Sequence, residues 1–335
     1  MNSLIIINKA VLHILDFNSG VTVFSDKELT IENSVETFLL KHIEKAYYDQ
    51  NLKLGVFYED SVFKEKFNSY INEELNFIDF SRYIVEVMYN TISKSDKMES
   101  TDLLVCDLTL DDERFFALFK CNNRIGFIHQ VIQTDEGIKN DIINNFAIMP
   151  NLTQKIDEYA FISALSQTIK FVDKKSSIDG EEAHIIADYI LECSFTASPK
   201  TTMETVNLIA KKVAENHGRN SVETITKAKA FIAENTQVSE YLEPMNLGKQ
   251  IFSDSPIMQE EYFNEIKSSG LADTIKIDRD FALKKTKSHK IKTDTGIEIN
   301  IPVDYFQNKD YVEFINNPDG TLSINLKNIG KLINK

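Results

Sequence analysis

The hydrophobic period of this chain switches repeatedly between that of a helix and that of a strand, and the switching constrains the fold more than any motif does. Residues 4–15 read as a strand, with Val21-Thr22-Val23-Phe24 as its partner across Asn18-Ser19-Gly20. Val35, Leu39, Ile43, Ala46 and Tyr47 then recur at helical spacing behind Asn33, which with Glu36 has the N-cap and N3 pattern. Phe63, Phe67, Tyr70 and Ile71 mark a second helix; Phe80, Ile84, Val87, Met88 and Thr91 mark a third. From Leu103 the period falls to two. Leu103 to Leu110, Arg114 to Cys121 and Arg124 to Gln133 read as three strands of an antiparallel meander, broken at Asp111-Asp112-Glu113 and Asn122-Asn123. Ile142 to Ile148 adds a candidate strand, and Ala160 to Val172 one or two more.

The helical period returns from Ser177. Ser198-Pro199 sets an N-cap and N1 ahead of Met203, Val206, Ile209, Ala210 and Val213. Ser221 opens a helix through Val222, Ile225, Ala228 and Ile232, and Ser255-Pro256 opens another through Met258, Tyr262, Phe263 and Ile266. The tail returns to strands. Lys290-Ile291-Lys292 and Ile297 to Ile301 flank Asp294-Thr295-Gly296, and Val312-Glu313-Phe314 and Leu322 to Leu326 flank Asn317-Pro318-Asp319-Gly320. Each is a hairpin pattern, since glycine supplies the positive φ of the turn. A module this small needs a surface to pack on. The expected architecture is α+β. Residues 1–175 form a domain with a largely antiparallel sheet and helices. Residues 176–275 are a helical segment, and 276–335 a small antiparallel β module packed on it.

Charge divides the chain differently. Residues 1–150 hold 14 Lys and Arg against 24 Asp and Glu, and residues 151–275 hold 12 against 19. In residues 276–335 the sign reverses, 11 against 8, within a chain of net charge −14. Leu283-Lys284-Lys285-Thr286-Lys287-Ser288-His289-Lys290-Ile291-Lys292 contains five lysines and no acid. A basic module on an acidic body points to a polyanion contact, and Thr286, Ser288 and His289 add donors for phosphate oxygens. If the run is extended, Lys285 and Lys287 share one face, and Lys284, Lys290 and Lys292 the other. The bland reading is a solvated edge strand guarded by lysines. No aromatic residue interleaves the run, which disfavours base stacking on single strands. Lys284, Lys285, Lys287, His289, Lys290 and Lys292 are therefore the candidate DNA-binding residues.

Catalytic patterns are missing. The sequence has no P-loop, GxGxxG, GxSxG or HExxH. His13, His42, His129, His184, His217 and His289 are scattered, without metal-ligand spacing, and read as surface or core-edge residues. Asp111-Asp112-Glu113 is the densest acidic cluster and reads as a solvated turn; Glu73-Glu74, Glu181-Glu182 and Glu260-Glu261 read as solvated helix faces or edges. Cys106, Cys121 and Cys193 form no CxxC pair and read as buried, reduced thiols. The N-terminus lacks the basic region of a signal peptide, and no run approaches the ~20 apolar residues of a membrane span. No catalytic residue, metal or cofactor is expected, and the chain reads as cytosolic.

Three stretches carry a resemblance. They are Ile7-Asn8-Lys9-Ala10-Val11-Leu12-His13-Ile14-Leu15-Asp16, the strand Asp102-Leu103-Leu104-Val105-Cys106, and the tail His289 to Ile299 with Val312 to Thr321. Together they resemble bacterial nucleoid-associated proteins of the YejK (NdpA) type over most of the chain. These are framework patterns and supply no residue-level binding motif. The resemblance implies a cytoplasmic protein found with the nucleoid and associated with double-stranded DNA, with no established enzyme activity. Counterion release at the basic tail would then give weak, largely sequence-independent binding. Homodimerisation would double a modest basic patch. Two alternatives stay open: an adaptor whose acidic surface docks a DNA-processing protein, and a metal-dependent nuclease built from scattered carboxylates.

Overall fold

A computed structural model describes residues 4–269, 271–277, 282, 286, 288–302, 305, 308, 310–318 and 321–331. The chain divides into two units, one ending at Ser198 and one beginning at Pro199.

The first unit is built on an antiparallel sheet. In chain order its strands are β1 (Ile5–Asp16), β2 (Val21–Val23), β3 (Lys53–Phe57), β4 (Thr101–Leu110), β5 (Glu113–Asn122), β6 (Arg124–Thr134), β7 (Gly137–Ile148), β8 (Glu158–Ser163), β9 (Ile169–Val172), β10 (Lys175–Ile178), β11 (Glu181–His184) and β12 (Cys193–Phe195). Eight of them form one sheet in the order β12-β3-β9-β8-β5-β4-β1-β2, every neighbouring pair antiparallel. The two faces of the sheet sort by period two. Val11, Leu103, Val105, Phe116, Leu118, Ala160 and Ile162 pack beneath helices α2 (Val62–Ile71) and α3 (Phe77–Ile92) and a π-helix at Ile185–Leu191. Ala10, Leu104, Cys106, Phe115, Ala117, Phe119 and Phe161 face the other way, against helix α1 (Asn33–Tyr47). β4, β5 and β8 are thus covered on both sides, which explains their nearly unbroken apolar runs.

The aromatic spacing read from the sequence is the spacing of this core. Phe63, Phe67, Phe80 and Phe116 are fully buried, with the Phe80 and Phe116 ring centroids 4.7 Å apart. Truncating such a ring typically costs ~3–5 kcal/mol. Ser61 caps α2 by accepting from the Lys64 amide, and Asn76 caps α3 by accepting from the Asp79 amide. The α1 cap differs from expectation. Glu32, not Asn33, holds the N-cap position, without a side-chain cap bond.

Two expectations are corrected here. The third strand of the meander does not lie beside β5; that place belongs to β8. A central position needs a strand that is apolar on both faces. β8 is buried at every residue, whereas β6 carries His129, Gln130 and Gln133. β6 pairs with β7 alone, as a separate hairpin. Residues from Ser177 are not helical at first. Asp179 and Gly180, at φ of 51° and 82°, turn β10 back onto β11. β12 then joins the main sheet beside β3, so residues 176–198 belong to the first unit.

The second unit packs helices α4 (Pro199–Asn216), α5 (Ser221–Val238), α6 (Pro244–Ile251) and α7 (Pro256–Ser268) around Val206, Val213, Ile232, Leu247, Phe252 and Tyr262. Helix α6 has no counterpart in the sequence reading. Its Gly248 lets Tyr262 approach so closely that a Cβ would lie 2.3 Å from the ring Cδ1. Strand β13 (Tyr241–Leu242) pairs with β14 (Ile275–Lys276). Two hairpins complete the unit, β15 (Ser288–Lys292) with β16 (Glu298–Pro302) and β17 (Val312–Asn316) with β18 (Leu322–Leu326). Ile301 and Val312 pack together with Ile291, Ile299, Phe314, Ile324 and Val222 of α5. Among the described residues no helix is long and apolar enough to cross a membrane.

Candidate nucleic-acid interface

The basic run is only partly extended. Ala282 and Thr286 are buried and helical, and the Thr286 hydroxyl donates to the Ala282 carbonyl at 2.8 Å. Strand geometry begins at Ser288, so period-two alternation does not extend back through Thr286. Lys284, Lys285 and Lys287 lie outside the described residues. Lys290 and Lys292 sit on one exposed face of β15, opposite Asn300 and Glu298, while Ile291 and Ile299 occupy the inner face. His289 pairs with Ile301 in the ladder. Lys292 Nζ lies 3.1 Å from Glu298 Oε1, an exposed pair of small energetic weight. Lys290 makes no ion pair among the described residues. Within the β15–β16 hairpin the two lysines are balanced by Asp294 and Glu298. The structure therefore brings together two of the six candidates, with no excess positive charge on this hairpin.

Carboxylates dominate elsewhere in the second unit. Glu261 accepts from Asn216 and meets His217 Nε2, both at 2.7 Å, and Lys212 reaches Glu265 at 2.7 Å, tying α4 to α7. A cavity of about 630 Å³ opens between α5 and β17, lined by Glu223, Lys227, Phe231, Glu234, Asp254 and Phe314 among others.

The first unit holds a polar cluster that sequence reasoning missed. Lys120, Glu158, Leu103 and His13 form one row across the sheet. Lys120 Nζ donates to Glu158 Oε2 at 2.5 Å and to Asn122 Oδ1 at 2.9 Å, with the Lys120 and Glu158 side chains both buried. Asp173, just past β9, accepts from the Ile186 and Ala187 amides at 2.7 and 2.9 Å, at the start of the π-helix. Burial, and then the negative charge of Glu158, push Asp173 up to about 7 despite those two amides. Glu158 Oε1 and Asp173 Oδ1 are buried without a protein donor. One proton on Asp173, donated to Glu158, satisfies both. The cluster floors a cleft of about 510 Å³ rimmed by Lys97, Lys174 and Lys175. Its sequence signal was a lysine inside the apolar run Phe115 to Cys121.

The other candidates resolve structurally. Asp111 and Asp112, at φ of 47° and 68°, form the β4–β5 turn; Asp111 accepts from the Leu4 amide and Glu113 from the Ser163 hydroxyl. His13 and His42 are fully buried, not surface or core-edge. Ser25 donates its amide to His13 Nδ1 at 3.1 Å, which leaves Nε2 to donate to Ser81 Oγ at 3.0 Å. Burial, with Arg82 nearby, lowers His13 to about 4. The three cysteines are buried and unpaired, and burial pushes Cys193 up to about 12. Among the described residues no group of three or more His, Cys, Asp or Glu side chains is placed to hold a metal ion.

Comparison with known proteins adds what the geometry lacks. The family model described as nucleoid-associated protein YejK matches residues 11–333. A nucleoid-associated protein of Haemophilus influenzae is 30% identical over 122 residues, 34% of this chain and 36% of that protein, and its counterpart in a second strain matches equally. A nucleoid-associated protein of Pasteurella multocida is 28% identical over 99 residues, 29% of each chain. The match to these curated relatives spans 36% of their length or less.

Proposed function

We propose a function from one premise: this chain belongs to the nucleoid-associated protein YejK family. It associates directly with double-stranded DNA, weakly and without base readout, and it does so without catalysis or cofactor, in the cytoplasm at the nucleoid. The contacts come from Lys284, Lys285, Lys287, Lys290 and Lys292, with His289 as an added donor. The observation that carries this reading, beside family membership, is the exposure of Lys290 and Lys292 on one face of β15, within residues 276–335, where cations outnumber acids 11 to 8. Phosphate neutralisation by so few groups gives modest affinity that falls with salt. A filter-binding or anisotropy titration against two unrelated duplexes, at several salt concentrations, tests it. Equal affinity for both, falling with salt, is expected; absence of binding at low salt removes the direct-contact reading.

A second reading is the adaptor, which reaches the nucleoid by docking a basic, DNA-processing protein. The cavity between α5 and β17 supports it, because its wall joins Glu223, Glu234 and Asp254 to the apolar surfaces of Phe231 and Phe314. Recovery of the chain with nucleoid proteins after complete nuclease digestion separates the two readings. The nuclease alternative needs a metal site, and no observation favours it.

A further inference from the structure

The cleft above the Lys120–Glu158 pair gathers energetically unfavourable features that the proposed DNA contact does not use. It lies wholly within the first unit, between the turn that follows α3, the end of β5, the start of β8 and strand β10. Its volume of about 510 Å³ falls in the ~300–1,000 Å³ range of small-molecule sites. At its floor the Lys120 and Glu158 side chains are only 5% and 2% exposed. A buried ion pair is a weak source of stability, so one at the bottom of an open cleft calls for another role. Asp173 adjoins Glu158, and Ile185, the first residue of the π-helix, lines the wall. π-Helical turns are rare and frequently accompany functional sites.

The free groups of the cleft are donors. An ammonium carries three N–H groups, and Lys120 uses two of them, on Glu158 and Asn122. Among the described residues Lys97 makes no ion pair and the Ser176 hydroxyl no hydrogen bond, and both line the cleft. Lys174 and Lys175 meet Asp157 and Glu182 at 3.1 and 2.7 Å, but all four side chains are at least 42% exposed, so these pairs are weak and open readily. The acids of the lining are already engaged. Glu158 holds Lys120, Asp96 accepts from the Ser177 hydroxyl, and Glu99 faces the Asn122 amide at 3.5 Å.

We propose that this cleft binds a small phosphorylated molecule, with its phosphate on Lys97, Lys174 and Lys175 and its body reaching the free Lys120 N–H at the floor. A phosphate presents several acceptor oxygens to donors arriving from different directions, which suits separate ammonium groups. A planar carboxylate suits the arginine fork instead, and no arginine lines the cleft. Ile92 and Ile185 give an apolar wall for a body larger than phosphate alone. A DNA duplex could touch the rim lysines, but it is too wide to enter and reach the buried Lys120.

The inference makes no use of the DNA reading, and the basic tail serves as its control. Calorimetric titration of the full chain with pyrophosphate, at physiological ionic strength and without DNA, is the test. Saturable binding at one site per chain is expected. Lys97→Gln combined with Lys174→Gln is expected to weaken it at least about tenfold, since each charge-assisted hydrogen bond lost is worth roughly that much. Ser176→Tyr, which fills the cleft from β10, is expected to abolish it. Both variants should melt as wild type does, because the substituted side chains are exposed or half-buried. Lys290→Gln with Lys292→Gln is expected to leave pyrophosphate binding unchanged. Repeating the titration with ADP separates the sources of the phosphate: tighter binding than pyrophosphate identifies a phosphorylated organic molecule, and equal or weaker binding an inorganic diphosphate. No pyrophosphate binding at millimolar concentration overturns the proposal. So does binding that survives Ser176→Tyr in a folded protein, or that duplex DNA displaces.

Discussion

Lys120 on β5 and Glu158 on β8 meet inside the first unit, Nζ 2.5 Å from Oε2, with both side chains buried. A buried pair of this kind is costly to break and weak as a source of net stability, because each ion has surrendered its hydration. Removing one partner leaves the other stranded.

Lys120→Met is therefore expected to lower the unfolding free energy by ~3–5 kcal/mol, and Lys120→Met with Glu158→Leu to recover much of that loss. Urea denaturation of the two variants and wild type measures it. A single variant as stable as wild type would show that the pair carries no such penalty.

Asp173 titrates with the opposite consequence to a salt-bridged carboxylate. Its folded value is raised from 3.8 to about 7, so the stability it contributes is full at low pH and is lost as pH rises through about 7. Asp173→Asn keeps an oxygen for the Ile186 and Ala187 amides and offers Glu158 a permanent donor. The variant is expected to gain stability relative to wild type as pH rises from 4 to 8. Paired melts across that range check it; a constant difference would rule out the shared proton.

His13 works in the other direction. Burial holds its folded value near 4, below the ordinary 6.5, so its contribution is present above pH 6.5 and is lost as pH falls toward 4. The loss is on the order of 2–3 kcal/mol, and His13→Gln is expected to remove that part of the acid sensitivity. Unfolding free energies at pH 7 and pH 4.5 supply the comparison, and equal pH dependence in both proteins would contradict it.

For DNA association, about three to five phosphate contacts imply a log–log salt slope of about −3 to −5. Replacing Lys284, Lys285, Lys287, Lys290 and Lys292 with Gln is expected to flatten that slope while leaving the melting temperature within a few degrees of wild type. Gln keeps part of the stem's packing and removes the charge. Affinity and slope unchanged in a protein that still melts normally would favour the adaptor.

The sequence alone determined the α+β class and most of the helices and strands, though not α6 or the β10–β11 hairpin. Period and capping residues are local properties, so α2, α3, α4, α5 and α7 and the two tail hairpins were legible from Phe63, Phe80, Val206, Ala228, Tyr262 and Gly296. The composition of the basic tail was legible too, since charge needs no fold to be counted. Tertiary structure decided which strands became neighbours and which polar groups were buried. β8 displaced β6 from beside β5 because a central strand must be apolar on both faces, a competition between segments some thirty residues apart. Nothing local in the sequence marks Lys120 or Asp173 as buried; the fold sets Glu158 opposite Lys120 and the π-helix amides against Asp173. The exposed β6–β7 hairpin has the same origin. An apolar side chain on a strand declares that it wants cover, and only the assembled sheet shows that Phe127 and Ile142 stay exposed among the described residues.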